Sequence, residues 1–240
     1  IYLKELKGTK PLKTSIFRNE RKFRVYTISF PELLNIIHLN PFLFREIYYQ
    51  RTINNIYLDS LELDSFFDSV DGYSKRMKVR VRWYGDDHTE VISPKLEFKI
   101  KYGHVGTKRV FPLKPFAFGK GFSKDQLTKS FDNSNLPDVI SEAVRYLHLS
   151  VLNKYQRRYF VSLDGRFRIT LDKNMQYYLL RDSNNSFLTK RSEGGVSVVE
   201  LKYNSSEDLD ANKIVKQFNF RMTKNSKYVS GKSSFMNTIA

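Results

Sequence analysis

The chain has 240 residues, 40% of them hydrophobic and 15% aromatic, which is enough apolar material for a packed core and too much for general disorder. Lysine and arginine (41) outnumber aspartate and glutamate (25) to give a formal charge of +16, which attracts polyanions such as phosphate esters, polyphosphate, nucleic acid or anionic lipid. The absence of cysteine excludes disulfides, thiolate zinc sites and cysteine nucleophiles, and it slightly favours a reducing, cytoplasmic setting.

No apolar run approaches the roughly 18–20 residues of a membrane helix, and no secretory signal is visible. Because the sequence opens at Ile1, an anchor or a membrane partner protein outside it stays open.

In chain order, polar–apolar alternation predicts a first strand at ERKFRVYTI (20–28). A helix follows over PELLNIIHL (31–39), whose proline suits a first turn. RTINNIYLD (51–59) predicts a strand, and SLELDSFFDSVDG (60–72) a helix with Ser60 as N-cap and Gly72 as its stop. KRMKVRVRWYG (75–85), KLEFKIKY (95–102) and KRVFPL (108–113) predict strands, with hairpin loops at GDDH (85–88) and YGHVG (102–106). KPFAFGKGFSKDQLTKS (114–130) reads as a loop with a short helix, and LPDVISEAVRYLHL (136–149) as an amphipathic helix.

Strands return at YQRRYFVSL (155–163), GRFRITLD (165–172), MQYYLL (175–180) and VSVVELKY (196–203), the first two joined by an Asp-Gly turn. The last helix is expected over SEDLDANKIVKQFNF (206–220), acidic at its start where the helix dipole favours it. From Thr223 the tail is polar and basic, and reads as mobile or held by a ligand. With no internal repeat or long linker, the expectation is one α+β domain over 1–240. Its sheet would be a closed antiparallel β-barrel with amphipathic helices packed outside.

Read by face, these strands carry ladders of charge. They are Glu20, Lys22 and Arg24; Lys78, Arg80 and Arg82; Glu97, Lys99 and Lys101; Arg166 and Arg168; Glu200 and Lys202. Opposite the second ladder stand Val79, Val81 and Trp83, and opposite the third Leu96, Phe98 and Ile100. On a single strand such a ladder usually marks a solvated face. Solvated faces, however, mix both signs, because like charges on neighbouring strands repel. Nearly pure cations on several strands fit a wet, cationic lumen whose repulsion a bound polyanion relieves. Arginine matches phosphate oxygens bidentately and lysine supplies a point charge.

A set of segments in fixed order makes this pattern specific. ERKFR (20–24), NIYLDS (55–60), VRVRWYG (79–85), LEFK (96–99), the pair at 108–109, YQRRYF (155–160), RFRITLD (166–172), VVELKY (198–203) and SKY (226–228) resemble the VTC (vacuolar transporter chaperone) domain of the CYTH-like triphosphate tunnel metalloenzymes. The similarity runs over about residues 16–232. It looks closest to the stand-alone bacterial branch, since no SPX domain precedes and no membrane helices follow in this sequence.

The resemblance implies an antiparallel tunnel that holds a linear phosphate chain. In the polymerase members it implies polyphosphate synthesis from the γ-phosphate of ATP with a divalent metal, Mn²⁺ or Mg²⁺. It also implies Lys22, Arg80, Arg82, Lys99, Lys108, Arg157, Arg168 and Lys227 as phosphate contacts and Glu200 as the metal ligand, with Lys22, Arg80, Arg82, Lys99 and Glu200 as the catalytic set. Strand alternation extends the substrate contacts to Arg24, Lys101 and Lys202, and the metal carboxylates to Glu20 and Glu97. Two departures stand out. Lys101 replaces a histidine of the eukaryotic polymerases, and the doubled arginine of YQRRYF brings Arg158 into the set beside Arg157.

ATP or another triphosphate and polyphosphate are therefore the expected partners, and nucleic acid is not. A triphosphatase, a non-catalytic polyphosphate sensor and, more distantly, a nucleic-acid-binding module are the alternatives. His38, His88, His104 and His148 lack zinc spacing, and GHVG and FGKGF lack the frame of a Walker loop.

Overall fold

The computed structural model describes residues 18–86, 89–103 and 105–236. His88 and His104, expected in solvated hairpin loops, lie outside the described residues. The strands are β1 (Arg18–Val25), β2 (Arg45–Asp59), β3 (Lys75–Tyr84), β4 (Glu90–Val91), β5 (Lys95–Tyr102), β6 (Val105–Pro112), β7 (Phe116–Ala117), β8 (His148–Val161), β9 (Arg168–Leu179), β10 (Lys190–Glu193) and β11 (Ser197–Asn204). The α-helices are α1 (Phe30–His38), α2 (Asp64–Val70), α3 (Lys124–Asp132), α4 (Asp138–Arg145), α5 (Asp208–Lys216) and α6 (Lys227–Met236). None of them is long and apolar enough to cross a membrane.

Nine strands form one antiparallel sheet in the order β1-β11-β9-β8-β2-β3-β5-β6, with β10 beside β9. β4 and β7 pair separately. The expected closed barrel is not what the hydrogen bonds draw: among the described residues no ladder joins β6 back to β1. The sheet nevertheless curls until its ends face each other. Glu20 on β1 and Lys99 on β5, far apart along the strand order, meet at 3.3 Å.

Helices cover the outer, apolar face of this curl. Met77, Val79, Val81 and Trp83 of β3 and Leu96, Phe98 and Ile100 of β5 share a core with Leu127 and Phe131 of α3 and Ile140, Ala143 and Val144 of α4. The last three fall at i, i+3 and i+4, one stripe of a helix. On the other half, Phe23, Ile169, Leu171, Val199 and Leu201 pack with Leu33 and Ile37 of α1 and Ala211 and Ile214 of α5. Full burial of each large apolar side chain contributes about 1.5–3 kcal/mol, so these two layers fix which face turns inward. Ser29 and Glu32 start α1 as a capping box.

Several boundaries differ from the alternation pattern. α2 starts at Asp64, later than Ser60 suggests, and its first amides are shared: Ser60 Oγ accepts from Asp64, and the Asp59 carboxylate accepts from Ser65 and Phe66. α4 stops at Arg145, and His148 already belongs to β8, whose first residues pair with the end of β2. The two segments expected at 165–172 and 175–180 are one strand, β9, with Asn174 at φ +53 where the inward parity changes.

The tail is also ordered. Its residues 227–236 form α6, which lies against the inner face where β2 ends and β8 begins. Tyr228 stacks on Tyr57 at 4.9 Å, and Phe235 joins a core with Val151, Tyr155 and Tyr177. Gly231 permits this approach: a Cβ there would fall 2.5 Å from Tyr177 Cδ1.

Candidate active site

With Val79, Val81 and Trp83 buried outside, the pleat turns Lys78, Arg80 and Arg82 inward. Arg80 donates from Nε and Nη2 to Glu97 Oε2 at 2.8 and 2.6 Å. Arg82 donates to Asn55 Oδ1 at 2.8 Å, and Lys78 to Ser226 Oγ at 2.9 Å. Lys108 on β6 reaches Glu97 Oε1 at 3.1 Å. Burial alone would raise the Glu97 carboxyl, but Arg80, Arg82 and Lys108 hold it down at about 2.

The opposite wall is built by β1, β11, β9 and β8. Lys22 and Glu200 are register partners, as are Glu20 and Lys202. The Lys22 ammonium sits 3.5 Å from each of Glu20 and Glu200. Glu200 also faces Lys202 at 3.6 Å, Arg157 at 3.9 Å and the Thr170 hydroxyl at 3.5 Å. Burial opposes its ionisation, yet Lys22, Lys202, Arg157 and Lys99 keep its carboxyl well below the usual range. Deeper lies Asp172, wholly buried, which accepts from Arg157 at 2.5 and 2.7 Å and from Lys227 of α6 at 2.5 Å.

This cationic inner face within a curled antiparallel sheet can be set against known proteins. The VTC domain profile matches residues 17–236. The chain belongs to the VTC domain family. A candidate adenylyl cyclase from Hippeastrum, described as having a dominant triphosphatase activity, aligns over 90% of this chain and 95% of its own with a TM-score of 0.52 and 13% identity. A candidate adenylate cyclase from Vibrio parahaemolyticus aligns over 88% of this chain and 94% of its own, with a TM-score of 0.50 and 13% identity. At such identities the likeness concerns the fold. No curated protein matches the sequence significantly.

The VTC domain brings most of the sequence-predicted residues onto one face. Lys22, Arg80, Arg82, Lys99, Lys108, Arg157, Glu200 and Lys227 converge through Glu97, Glu20, Glu200 and Asp172. Arg24 lies on the same face beside Glu193 at 3.3 Å. Lys202 and the exposed Arg168 are register partners at its edge, and Lys101 stands opposite Arg76.

Two arginines do not join. Arg158 points the other way, onto Glu46 and the Phe160 ring, because its neighbour Arg157 takes the inward position. Arg166, placed in a ladder with Arg168, precedes β9 and is held by Asp164, Glu207 and Asp210 on the rim. Sequence reasoning missed Asp172, Asn55, Tyr57 and Tyr155. Asp172 was within reach: in RFRITLD it falls on the same side as Arg168, opposite the buried Ile169 and Leu171.

Crowding of like charge perturbs two lysines. Burial and the nearby Lys99, Lys22, Arg76 and Lys101 pull the Lys78 ammonium down to about 7. Lys99 is drawn down to about 8 by burial and Lys22, with Glu20 and Glu200 opposing. Both values lie below that of the unfolded chain, which therefore binds more protons between about pH 7 and 10, so stability without ligand rises with pH across that window. A bound polyanion favours the charged forms, so binding must take up protons. At pH 8 tripolyphosphate should bind with uptake of roughly one proton, and its affinity should weaken toward pH 9. Titration calorimetry in buffers of different ionisation enthalpy measures this. Zero uptake would show that these lysines do not meet the ligand.

The family implies a divalent metal, and the donor set can be tested for it. Glu200 is approached by its cations at 3.5 Å or more and Glu20 at 3.3 Å or more, so neither carboxylate is saturated by short hydrogen bonds. Glu97 is different. Its oxygens are taken by Arg80 and Lys108 at 2.6–3.1 Å, which makes it the counter-ion that orients Arg80. Among the described residues no group of three or more acidic or histidine side chains is assembled for a metal. The residues thus fit a hard cation that Glu200, with Glu20, would hold through few protein oxygens, as such cations often keep several waters.

Proposed function

We propose that this VTC domain binds a triphosphate in extended form along its inner cations and transfers the terminal phosphoryl group. Growth of polyphosphate from the γ-phosphate of ATP is the favoured reaction. The observation that carries the proposal is the convergence of Lys22, Arg80, Arg82, Lys99 and Arg157 on one inner face, with buried carboxylates fixing the arginines. Phosphoryl transfer needs little covalent help. It needs the chain held in line and the charge on its oxygens stabilised by groups already in place. Arg80 and Arg157, locked by Glu97 and Asp172, meet that need without reorganising. A divalent cation at Glu200 would add charge neutralisation at the phosphoryl oxygens. A phosphate chain lying between β1 and β5 would complete the tunnel electrostatically where the backbone leaves it open.

The choice of acceptor separates polymerase from hydrolase. Glu97 and Asp172 are fully engaged with cations, which leaves few carboxylates able to position a water and favours a phosphate acceptor. Hydrolysis is the second reading, favoured by the likeness to the Hippeastrum protein and its described triphosphatase activity. Phosphorus NMR of the protein with ATP, or with tripolyphosphate, and Mn²⁺ decides. Lengthening chains are the expected product, orthophosphate alone means hydrolase, and unchanged substrate would refute catalysis.

A further inference from the structure

The inner face changes character at the end where β2 enters and β3 and β8 leave. Along β3 it reads Lys78, Arg80, Arg82 and then Tyr84, and along β8 it reads Tyr155, Arg157 and then Tyr159. β2 contributes Arg51, the register partner of Arg157. At this end the arginine packs on rings. The Arg51 guanidinium lies 4.8 Å from the Tyr48 ring centroid, 5.8 Å from Tyr84 and 5.9 Å from Tyr159. Tyr48 and Tyr159 meet edge to face at 5.6 Å, and Arg157 approaches the Tyr159 ring at 5.9 Å. The aromatic group is therefore continuous with the phosphate-facing cations through Tyr159.

Tyr48 remains 51% exposed and Tyr84 42% exposed, so this end of the curl buries little and adds little to the core. Its composition, half-exposed tyrosine rings around an arginine guanidinium, is of the kind that flat nucleobases stack on. A linear inorganic phosphate chain has no group that would use it.

We propose that Tyr48, Arg51, Tyr84 and Tyr159 form a stacking platform for the base of a nucleoside triphosphate whose phosphates run inward from Arg157. The proposal rests on the reading of the inner face as a triphosphate site and adds to it a preference. At similar charge, a nucleoside triphosphate binds more tightly than tripolyphosphate, and purines, with more ring to overlap, bind more tightly than pyrimidines. The direction follows as well: the base stays at the mouth and the terminal phosphate lies deepest.

Calorimetry with ATP and with tripolyphosphate, on the full chain and on two double variants, tests this. Tyr48→Leu with Tyr84→Leu removes the rings and keeps bulk, whereas Tyr48→Phe with Tyr84→Phe keeps the rings. The leucine pair should weaken ATP by about tenfold or more and leave tripolyphosphate within about twofold, while the phenylalanine pair should retain both affinities. Tyr84→Leu alone repeats the comparison should the pair lower the melting temperature. If ATP is unaffected, or if both ligands weaken together, the platform is overturned and the triphosphate site stands. If the unaltered protein binds neither ligand, the triphosphate reading falls and the platform with it.

Discussion

Glu200→Gln is expected to lower metal-dependent turnover by about 10²–10³-fold while the protein still folds and still binds tripolyphosphate. The carboxylate is buried among Lys22, Lys202 and Arg157 at 3.5–3.9 Å, close enough to feel their charge and too far to be consumed by it. Glutamine keeps the shape but loses the negative charge that a divalent cation needs. It also loses stability. Because the Glu200 carboxyl is depressed in the folded state, its charge stabilises the protein at neutral pH, and that contribution disappears only as pH falls through the folded value. The variant should therefore melt a few degrees lower. Phosphate release with Mn²⁺, read beside tripolyphosphate affinity, checks the prediction. Full turnover would remove Glu200 from the chemistry.

The largest loss of stability is expected from Asp172→Ala. Asp172 is wholly buried, and both of its cations, Arg157 and Lys227, are nearly so in their side chains, at 10% and 13% exposure. Deleting one member of such a group leaves uncompensated buried charge and costs about 3–5 kcal/mol. It also releases the start of α6 from the wall, since Lys227 is that helix's first residue. Urea unfolding measures the loss. A bound polyanion supplies the missing negative charge and binds only the folded state, so tripolyphosphate should restore more stability to Asp172→Ala than to the unaltered protein. A loss below about 1 kcal/mol would mean that the carboxylate is not the counter-charge described here.

Much of this was legible in the sequence because strand parity is rigid. Once Val79, Val81 and Trp83 are known to be apolar together, Lys78, Arg80 and Arg82 must share the other face. Parity does not say which face is inside. The resemblance carried by the ordered segments implied that answer, and the structure agrees by seating α3 and α4 on the valine side. Parity also fails where it resets. Arg157 and Arg158 could not be told apart in YQRRYF, and the change of phase at Asn174 was invisible. The tail concealed its helix because the buried stripe is Tyr228, Gly231 and Phe235 among serines and lysines, a pattern of low mean hydropathy. Its place depends on Tyr57 and Tyr177, residues distant in sequence. The curl of the sheet brings together pairs such as Glu20–Lys99, which no local pattern encodes.

On the proposed function, the inward cations, and not the outer ones, hold the phosphate chain. The affinity of tripolyphosphate for the unaltered protein, Arg80→Ala and Arg158→Ala, measured by calorimetry at one salt concentration, tests it most directly. Arg80 lies inward on Glu97, and Arg158 lies on the opposite face of its strand with Glu46. Arg80→Ala should bind about 10–100-fold more weakly, as expected for a lost charge-assisted hydrogen bond, and Arg158→Ala should stay within about twofold. Unchanged binding by Arg80→Ala, or an equal loss in Arg158→Ala, would mean that the inner face is not the phosphate-binding surface.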